Sequence, residues 1–271
     1  MLGIGMPLLL ASVAQASPWS DETTPFPGPA DSIGKPNAGC LAGAVSLPFD
    51  GSGYQVIHIS RNRYFSNPAT VQFVEDLGRA AKAAGLPDFY VGDLSLPRGG
   101  PMPNGHASHQ SGLDVDIWDN LDPKPVLAPA DREDVPLPSM LTPNGKALDK
   151  TKFGARQVTL LRLAASDPRV DRIFVSAVIK RALCQGEFAS TVGDRKWLHR
   201  LRPWYDHDDH FHVRLSCPAG SRDCVPQVPV PPGEGCDASL AWWFEPHATQ
   251  PEAAPRHPPL LPAACRKLIQ R

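Results

Sequence analysis

Two short stretches of strict alternation constrain this chain more than any other feature. Leu113, Val115 and Ile117 alternate with Asp114, Asp116 and Trp118, and Phe211, Val213 and Leu215 alternate with His210, His212 and Arg214. A period of two belongs to a strand with one buried face. Asp114 and Asp116 therefore share one face of the first strand, and His210 and His212 share one face of the second. A carboxylate turned inward without a partner is costly, so such a residue normally meets a cation or a hydrogen-bond donor. The first strand follows a glycine-flanked loop, Gly105 to Gly112, that carries His106 and His109, and His207 precedes the second. Five of the nine histidines thus fall in these two segments.

Taken singly, a histidine is more often a hydrogen-bonded surface or core residue than a ligand. Jointly, the two clusters point to a metal site. If the two strands are neighbours, one histidine of the second completes a His, Asp, His set with a loop histidine and an aspartate of the first. Three protein ligands leave a fourth zinc position for water, the catalytic rather than the structural pattern. Zinc lowers the pKa of bound water to about 7, and a neighbouring histidine can carry the proton. Two other mechanisms are set aside. No H-E-x-x-H helix is present, and Ser32-Ile33-Gly34-Lys35 matches S-x-x-K without opening a helix and without S-D-N or K-T-G partners.

Composition narrows the setting. The 27 basic and 28 acidic residues among 271 provide no field for nucleic acid or an anionic membrane. Residues 1–16 read as an export signal, with an apolar run from Met6 to Leu10 and the small-x-small pattern Ala14-Gln15-Ala16. The usual basic n-region is missing, which suggests a misassigned start codon or a longer true N-terminus. No other stretch is long and apolar enough to span a bilayer, so a soluble mature protein is expected. Six cysteines, Cys40, Cys184, Cys217, Cys224, Cys236 and Cys265, are even in number and scattered, as in a disulfide framework formed in an oxidising compartment such as the periplasm. Counting alone leaves fifteen pairings open.

The 31 prolines mark irregular regions. Residues 17–50 read as an extended lead-in wrapping the core and anchored by Cys40, and 216–271 as a proline-rich tail; 17–271 is expected to form one domain. Between them the spacing predicts strands at 55–59, 89–94 and 170–175, and helices at 67–84, 157–165 and 177–183. Asp194 is expected to cap a further helix carrying Trp197, Leu198 and Leu201, and a long irregular segment runs to about residue 152.

The run His106-Ala-Ser-His109-Gln-x-Gly-Leu-Asp114-Val-Asp116-Ile117 is followed by Arg202-Pro203-Trp204, His207-x-x-His210-x-His212-Val-Arg-Leu and Cys217-Pro218. Together these resemble the penicillin-insensitive murein endopeptidases. Tyr64-Phe65, Arg172-Ile173-Phe174-Val175, Trp243-Phe244-Glu245-Pro246 and all six cysteines extend the likeness over nearly the whole mature chain. That family is similar to the superfamily of lysostaphin, D-Ala-D-Ala metallopeptidases and hedgehog. The resemblance implies an α+β fold: a small antiparallel β-sheet core bearing a zinc site, flanked by helices, with long Pro-rich loops and three disulfides. It implies His109, Asp116 and His212 as zinc ligands, His210 as base, His207 as a polarising group, and His106 at a position associated with metal. It also implies the bridges Cys40–Cys265, Cys184–Cys236 and Cys217–Cys224. Asp114, on the same face as Asp116, is expected to orient a ligand. Where the family has Asp-Gly-Lys-His, a possible accessory metal site, this chain has Asn144-Gly145-Lys146-Ala147, so the likeness does not carry a second ion.

The implied activity is zinc-dependent hydrolysis of D-alanyl-meso-diaminopimelyl cross-links in peptidoglycan, insensitive to beta-lactams because no serine nucleophile is used. Two alternatives share these features: a D,D-carboxypeptidase or dipeptidase with the same site, and a non-catalytic peptidoglycan-binding module that keeps the bridges without the metal.

Overall fold

The computed structural model describes residues 17–246, 248 and 259–270; the expected export signal, 1–16, lies outside the described residues. The chain begins with a hairpin of β1 (Asp31–Lys35) and β2 (Ala38–Ala42). Here the structure corrects the sequence reading, which expected an extended lead-in. Ile33, Cys40 and Leu41 bury their side chains, and pairing the two strands satisfies the backbone groups that this burial takes from water. The Ser32-Ile33-Gly34-Lys35 segment is part of this hairpin, and the Ser32 hydroxyl accepts a hydrogen bond from Asn67 Nδ2. It is not poised as a nucleophile at a helix start.

Short strands β3 (Val45–Ser46), β4 (Asp50–Gly51), β5 (Tyr54–Val56) and β6 (Phe65–Ser66) lead into helix α1 (Pro68–Ala83). The helix begins where the sequence places it. Asn67 accepts from Ala69 N as an N-cap, Pro68 occupies the first turn, and Val71, Phe73, Val74, Leu77, Gly78 and Ala81 form its buried stripe. Gly78 is needed for close packing, because a Cβ there would lie 2.3 Å from Ser52 O.

Strands β7 (Phe89–Val91) and β8 (Asp114–Trp118) precede the long irregular segment, which contains one 3₁₀ turn at Pro129–Arg132. The second half holds α2 (Ala155–Ser166), β9 (Val170–Val175), α3 (Ala177–Cys184), α4 (Ala189–Val192), β10 (Leu201–Pro203) and β11 (His210–Leu215). The Asp194-capped element is a 3₁₀ helix, Arg195–Arg200, and Leu201 has already left it to pair with Ile173. Helices α5 (Ala238–Ala241) and α6 (Ala263–Ile269) punctuate the tail. Among the described residues no helix is long and apolar enough to cross a membrane.

Seven strands make the main sheet in the order β10-β9-β11-β8-β7-β5-β4. It is larger than the expected core and is mixed, since β9 and β10, and β5 and β7, run parallel. The α+β class stands, and the two patterned strands lie side by side and antiparallel at its centre. Their register pairs His212 with Asp116, Arg214 with Asp114, and His210 with Trp118. Val115, Ile117, Phe211 and Val213 point the other way, wholly buried in a core shared with α1 and α2. A one-residue slip would move every one of these apolar side chains to the site face, so the same burial that stabilises the sheet fixes the register of the site.

All three expected bridges form, with Cα–Cα distances of 5.6, 5.5 and 5.8 Å for Cys40–Cys265, Cys184–Cys236 and Cys217–Cys224. The first joins β2 to α6 within a second apolar cluster of Trp19, Ile33, Leu96, Met102 and Leu268. In that cluster Trp19 is buried against Gly100, where a Cβ would meet the indole at 2.0 Å.

Candidate metal centre

Four imidazoles converge on Asp116. His109 Nε2 lies 3.4 Å from Asp116 Oδ1, His212 Nδ1 lies 3.4 Å and His210 Nε2 4.0 Å from the same oxygen, and His106 Nδ1 lies 3.6 Å from Oδ2. None of these is a hydrogen bond of good geometry, and His109 Nε2 and Asp116 Oδ1 are buried without a hydrogen-bond partner. Potential ligand atoms of His106, His109 and Asp116 all lie within 4.8 Å of one another. His212 approaches the same group, its ring 4.6 Å from that of His109.

The far nitrogen of each ring is tied to an oxygen. His109 Nδ1 meets Leu94 O at 2.6 Å; a carbonyl can only accept, so Nδ1 carries the proton and neutral His109 presents a bare Nε2. His212 Nε2 meets Asp114 Oδ1 at 2.9 Å, His106 Nε2 meets Asp93 Oδ2 at 2.8 Å, and His210 Nδ1 meets Asp209 Oδ1 at 2.6 Å. Each carboxylate accepts the outer N–H and leaves the inner lone pair facing Asp116. Outer oxygens that fix tautomer and ring orientation in this way are the arrangement metal-binding histidines adopt. Inward lone pairs, a carboxylate and two buried polar atoms without partners together fit a zinc ion.

Asp114 serves three donors at once. Besides His212 it accepts Arg214 Nε at 2.6 Å and the backbone N–H of His109 at 2.9 Å. One wholly buried carboxylate thus fixes a ring on β11 and the loop carrying His109. Burial opposes its charge, but Arg214 and His212 hold it well below the ordinary carboxylate range. His109 sits at φ 65°, in the left-handed region, a conformation that costs a non-glycine residue about 1–3 kcal/mol and here aims its ring inward.

The electrostatics differ ring by ring. Burial disfavours charge on His109, but Asp116 at 3.4 Å, with Asp114 and Asp93 behind it, outweighs burial and raises the ring to about 9. Burial drives His212 down to about 3 despite Asp114. His207, its Nδ1 donating to Tyr205 O, is pushed down to about 4 by burial and by His210, whose ring lies 4.9 Å away. His210 is also penalised by burial, but Asp209 and Asp116 raise it above the ordinary histidine value.

Sequence reasoning missed Asp93. It is buried, accepts His106 Nε2, and is held by Arg63 Nη1 at 2.7 Å. The available signal was a lone carboxylate inside the apolar run Phe89 to Leu94, the same argument that singled out Asp114 and Asp116. Asp119, just past β8, was also passed over. It is wholly buried, and both of its side-chain oxygens lack a hydrogen-bond partner among the described residues. Burial, with Asp209 and Asp208 adding to it and His210 opposing, pushes its carboxyl up to about 7. The folded value exceeds that of the unfolded chain, so the stability associated with Asp119 is fully present below about pH 4 and is lost as pH rises through 7. Asp119→Asn is therefore expected to raise unfolding stability by on the order of 4 kcal/mol at pH 8 and by little at pH 4. Denaturant midpoints at the two pH values check this.

The profile of the penicillin-insensitive murein endopeptidases matches residues 32–270. The chain is 44% identical over 264 residues to a protein of Haemophilus influenzae, an alignment spanning 95% of this chain and 90% of that one. It is 42% identical to a protein of Escherichia coli and 40% identical to one of Klebsiella pneumoniae, each over 271 residues, covering 98% of this chain and 96% of theirs. All three relatives carry the name penicillin-insensitive murein endopeptidase. With these matches joined to the two paired strands and their converging histidines, the chain belongs to the penicillin-insensitive murein endopeptidase family.

Proposed function

We propose that this protein is a zinc-dependent endopeptidase that hydrolyses the D-alanyl-meso-diaminopimelyl cross-links of peptidoglycan. It would act in the periplasm, with residues 1–16 directing export and 17–271 working as one domain. The observation that carries this reading is the set of four imidazoles, each tied at its outer nitrogen to an oxygen, with inner nitrogens within 4.0 Å of Asp116. His109, Asp116 and His212 would hold the ion, with His106 beside them. When bound, zinc supplies a Lewis acid and makes water nucleophilic near neutral pH. The chain's own residues supply the rest.

His210 is the proton carrier. Asp209 holds its Nδ1 and turns Nε2 toward Asp116, and the raised affinity of the ring for a proton suits it to take one from attacking water and return it to the leaving amine. His207 stands next to it. In its neutral form the ring donates from Nδ1 to Tyr205 O, so Nε2 accepts and can orient water. To polarise a carbonyl oxygen as a donor from Nε2, His207 would need its protonated form, which burial disfavours. Because every group here is an imidazole or carboxylate, a beta-lactam meets no serine to acylate.

Cross-linked muropeptide dimers test the reading. Conversion of dimers to monomers, followed by chromatography and mass analysis, is the expected outcome. Release of terminal D-alanine from uncross-linked stems with dimers left intact would assign the site to a carboxypeptidase. Binding without any bond cleavage would assign the fold to a peptidoglycan-binding module.

A further inference from the structure

Beside His106 opens a cavity of about 540 Å³ whose lining includes Ser20, Arg61, Arg63, Asp93 and Asn104. Its charge is not balanced from within. Arg63 is spent: Nη1 lies 2.7 Å from Asp93 Oδ2, and Nη2 donates to Asn104 Oδ1 at 2.6 Å. Asp93 Oδ2 also holds His106 Nε2, so this single carboxylate serves a guanidinium and a ring before it meets Arg61. Arg61 reaches it only at 3.4 Å, and its side chain remains 44% exposed. Glu133, the other acidic group near Arg61, is committed to Ser60 N and Ser60 Oγ and does not line the cavity. Ser20 Oγ lies buried at the wall without a hydrogen-bond partner. A guanidinium with one long contact and a hydroxyl with none are the donors a carboxylate satisfies.

The cross-link of the proposed function carries such a group at a fixed place. The diaminopimelyl residue gives an amine to the scissile amide, and the carbon bearing that nitrogen also bears a free carboxylate. Three bonds separate that nitrogen from the carboxylate oxygens, a reach of about 3.5 Å. The anion must therefore sit immediately beside the reacting centre, and the cavity adjoins it through His106, whose Nδ1 lies 3.6 Å from Asp116. Arg214, the other guanidinium there, is committed to Asp114.

We propose that the Arg61 cavity receives the free carboxylate of the diaminopimelyl residue, with Arg61 pairing to it and Ser20 Oγ donating to it. The cavity then selects for a D-amino-acid carboxylate on the leaving side of the bond. The proposal rests on the endopeptidase reading above, and it is tested with the zinc-loaded full-length enzyme on two dimers, one with that carboxylate free and one with it converted to the amide.

Wild-type enzyme is expected to cleave the free-acid dimer with a KM about 10–100-fold below that for the amide, the range of one charge-assisted pair. Arg61→Ala, a change at a half-exposed side chain, should raise KM for the free acid by a similar factor, leave KM for the amide nearly unchanged, and affect kcat little. Equal KM values for the two dimers in wild type, or an equal loss on both dimers in Arg61→Ala, would overturn the proposal while leaving the endopeptidase reading intact. Failure of wild type to cleave either dimer would overturn both.

Discussion

Asp116→Ala is expected to remove metal binding and to lower cleavage of cross-linked dimers by about 10³-fold, the loss of several kcal/mol of charge stabilisation. Asp116 is the one carboxylate on which four rings converge, and it is buried. Without it the inner nitrogens of His109 and His212 have no anion between them. A neutral shell of imidazoles also loses the charge that favours a dication over protons. The substitution should leave the sheet intact, because the core side of β8 is made by Val115 and Ile117. Elemental analysis together with initial rates on the same preparation checks both halves. A folded variant with normal zinc content and normal rates would remove Asp116 from the site.

The second large effect concerns the bridge furthest from the chemistry in sequence. Cys40 and Cys265 are separated by 225 residues, and opening so long a loop restores about 5 kcal/mol of chain entropy to the unfolded state in the loop-closure account. Cys40→Ser with Cys265→Ser is therefore expected to lower the free energy of unfolding by about 2–5 kcal/mol, read from the denaturant midpoint. The damage should reach the metal centre. The β1–β2 hairpin that Cys40 anchors supports the histidine loop directly: Gln110 N donates to Pro36 O, and Gly39 N donates to Gln110 Oε1, next to His109. A weaker zinc affinity should accompany the lost stability. Opening the short Cys217–Cys224 loop, a separation of 7 residues, should cost less.

Much of this centre is legible in sequence because it is built on periodicity. Alternation placed Asp116 and His212 on site faces, and apolar burial on the opposite faces forces the two strands into one register. The boundaries of α1 were legible for the same kind of local reason, an Asn cap followed by proline. What escaped was set by distant backbone. The proton on His109 is fixed by Leu94 O, and no residue type announces which carbonyl will face a ring. The β1–β2 hairpin hid within proline- and glycine-rich sequence because its pairing follows from burial of Ile33 and Cys40 against Cys265 and Leu268 of α6 and of Leu41 against Phe65, a tertiary cause. His106 is the instructive case. The resemblance put it at a position associated with metal, and the structure ties its Nε2 to Asp93 while its Nδ1 faces Asp116, a pairing with an aspartate that no alternation in the sequence announces.

The central claim is that peptide cross-links are cut at a metal held by these histidines and Asp116. The direct measurement is cleavage of purified muropeptide dimers before chelation, after removal of metal by a chelator, and after adding back one equivalent of zinc. The account predicts that cleavage is lost on chelation and recovered with zinc, and that Asp116→Ala fails to recover. Undiminished cleavage by the metal-free protein would contradict it.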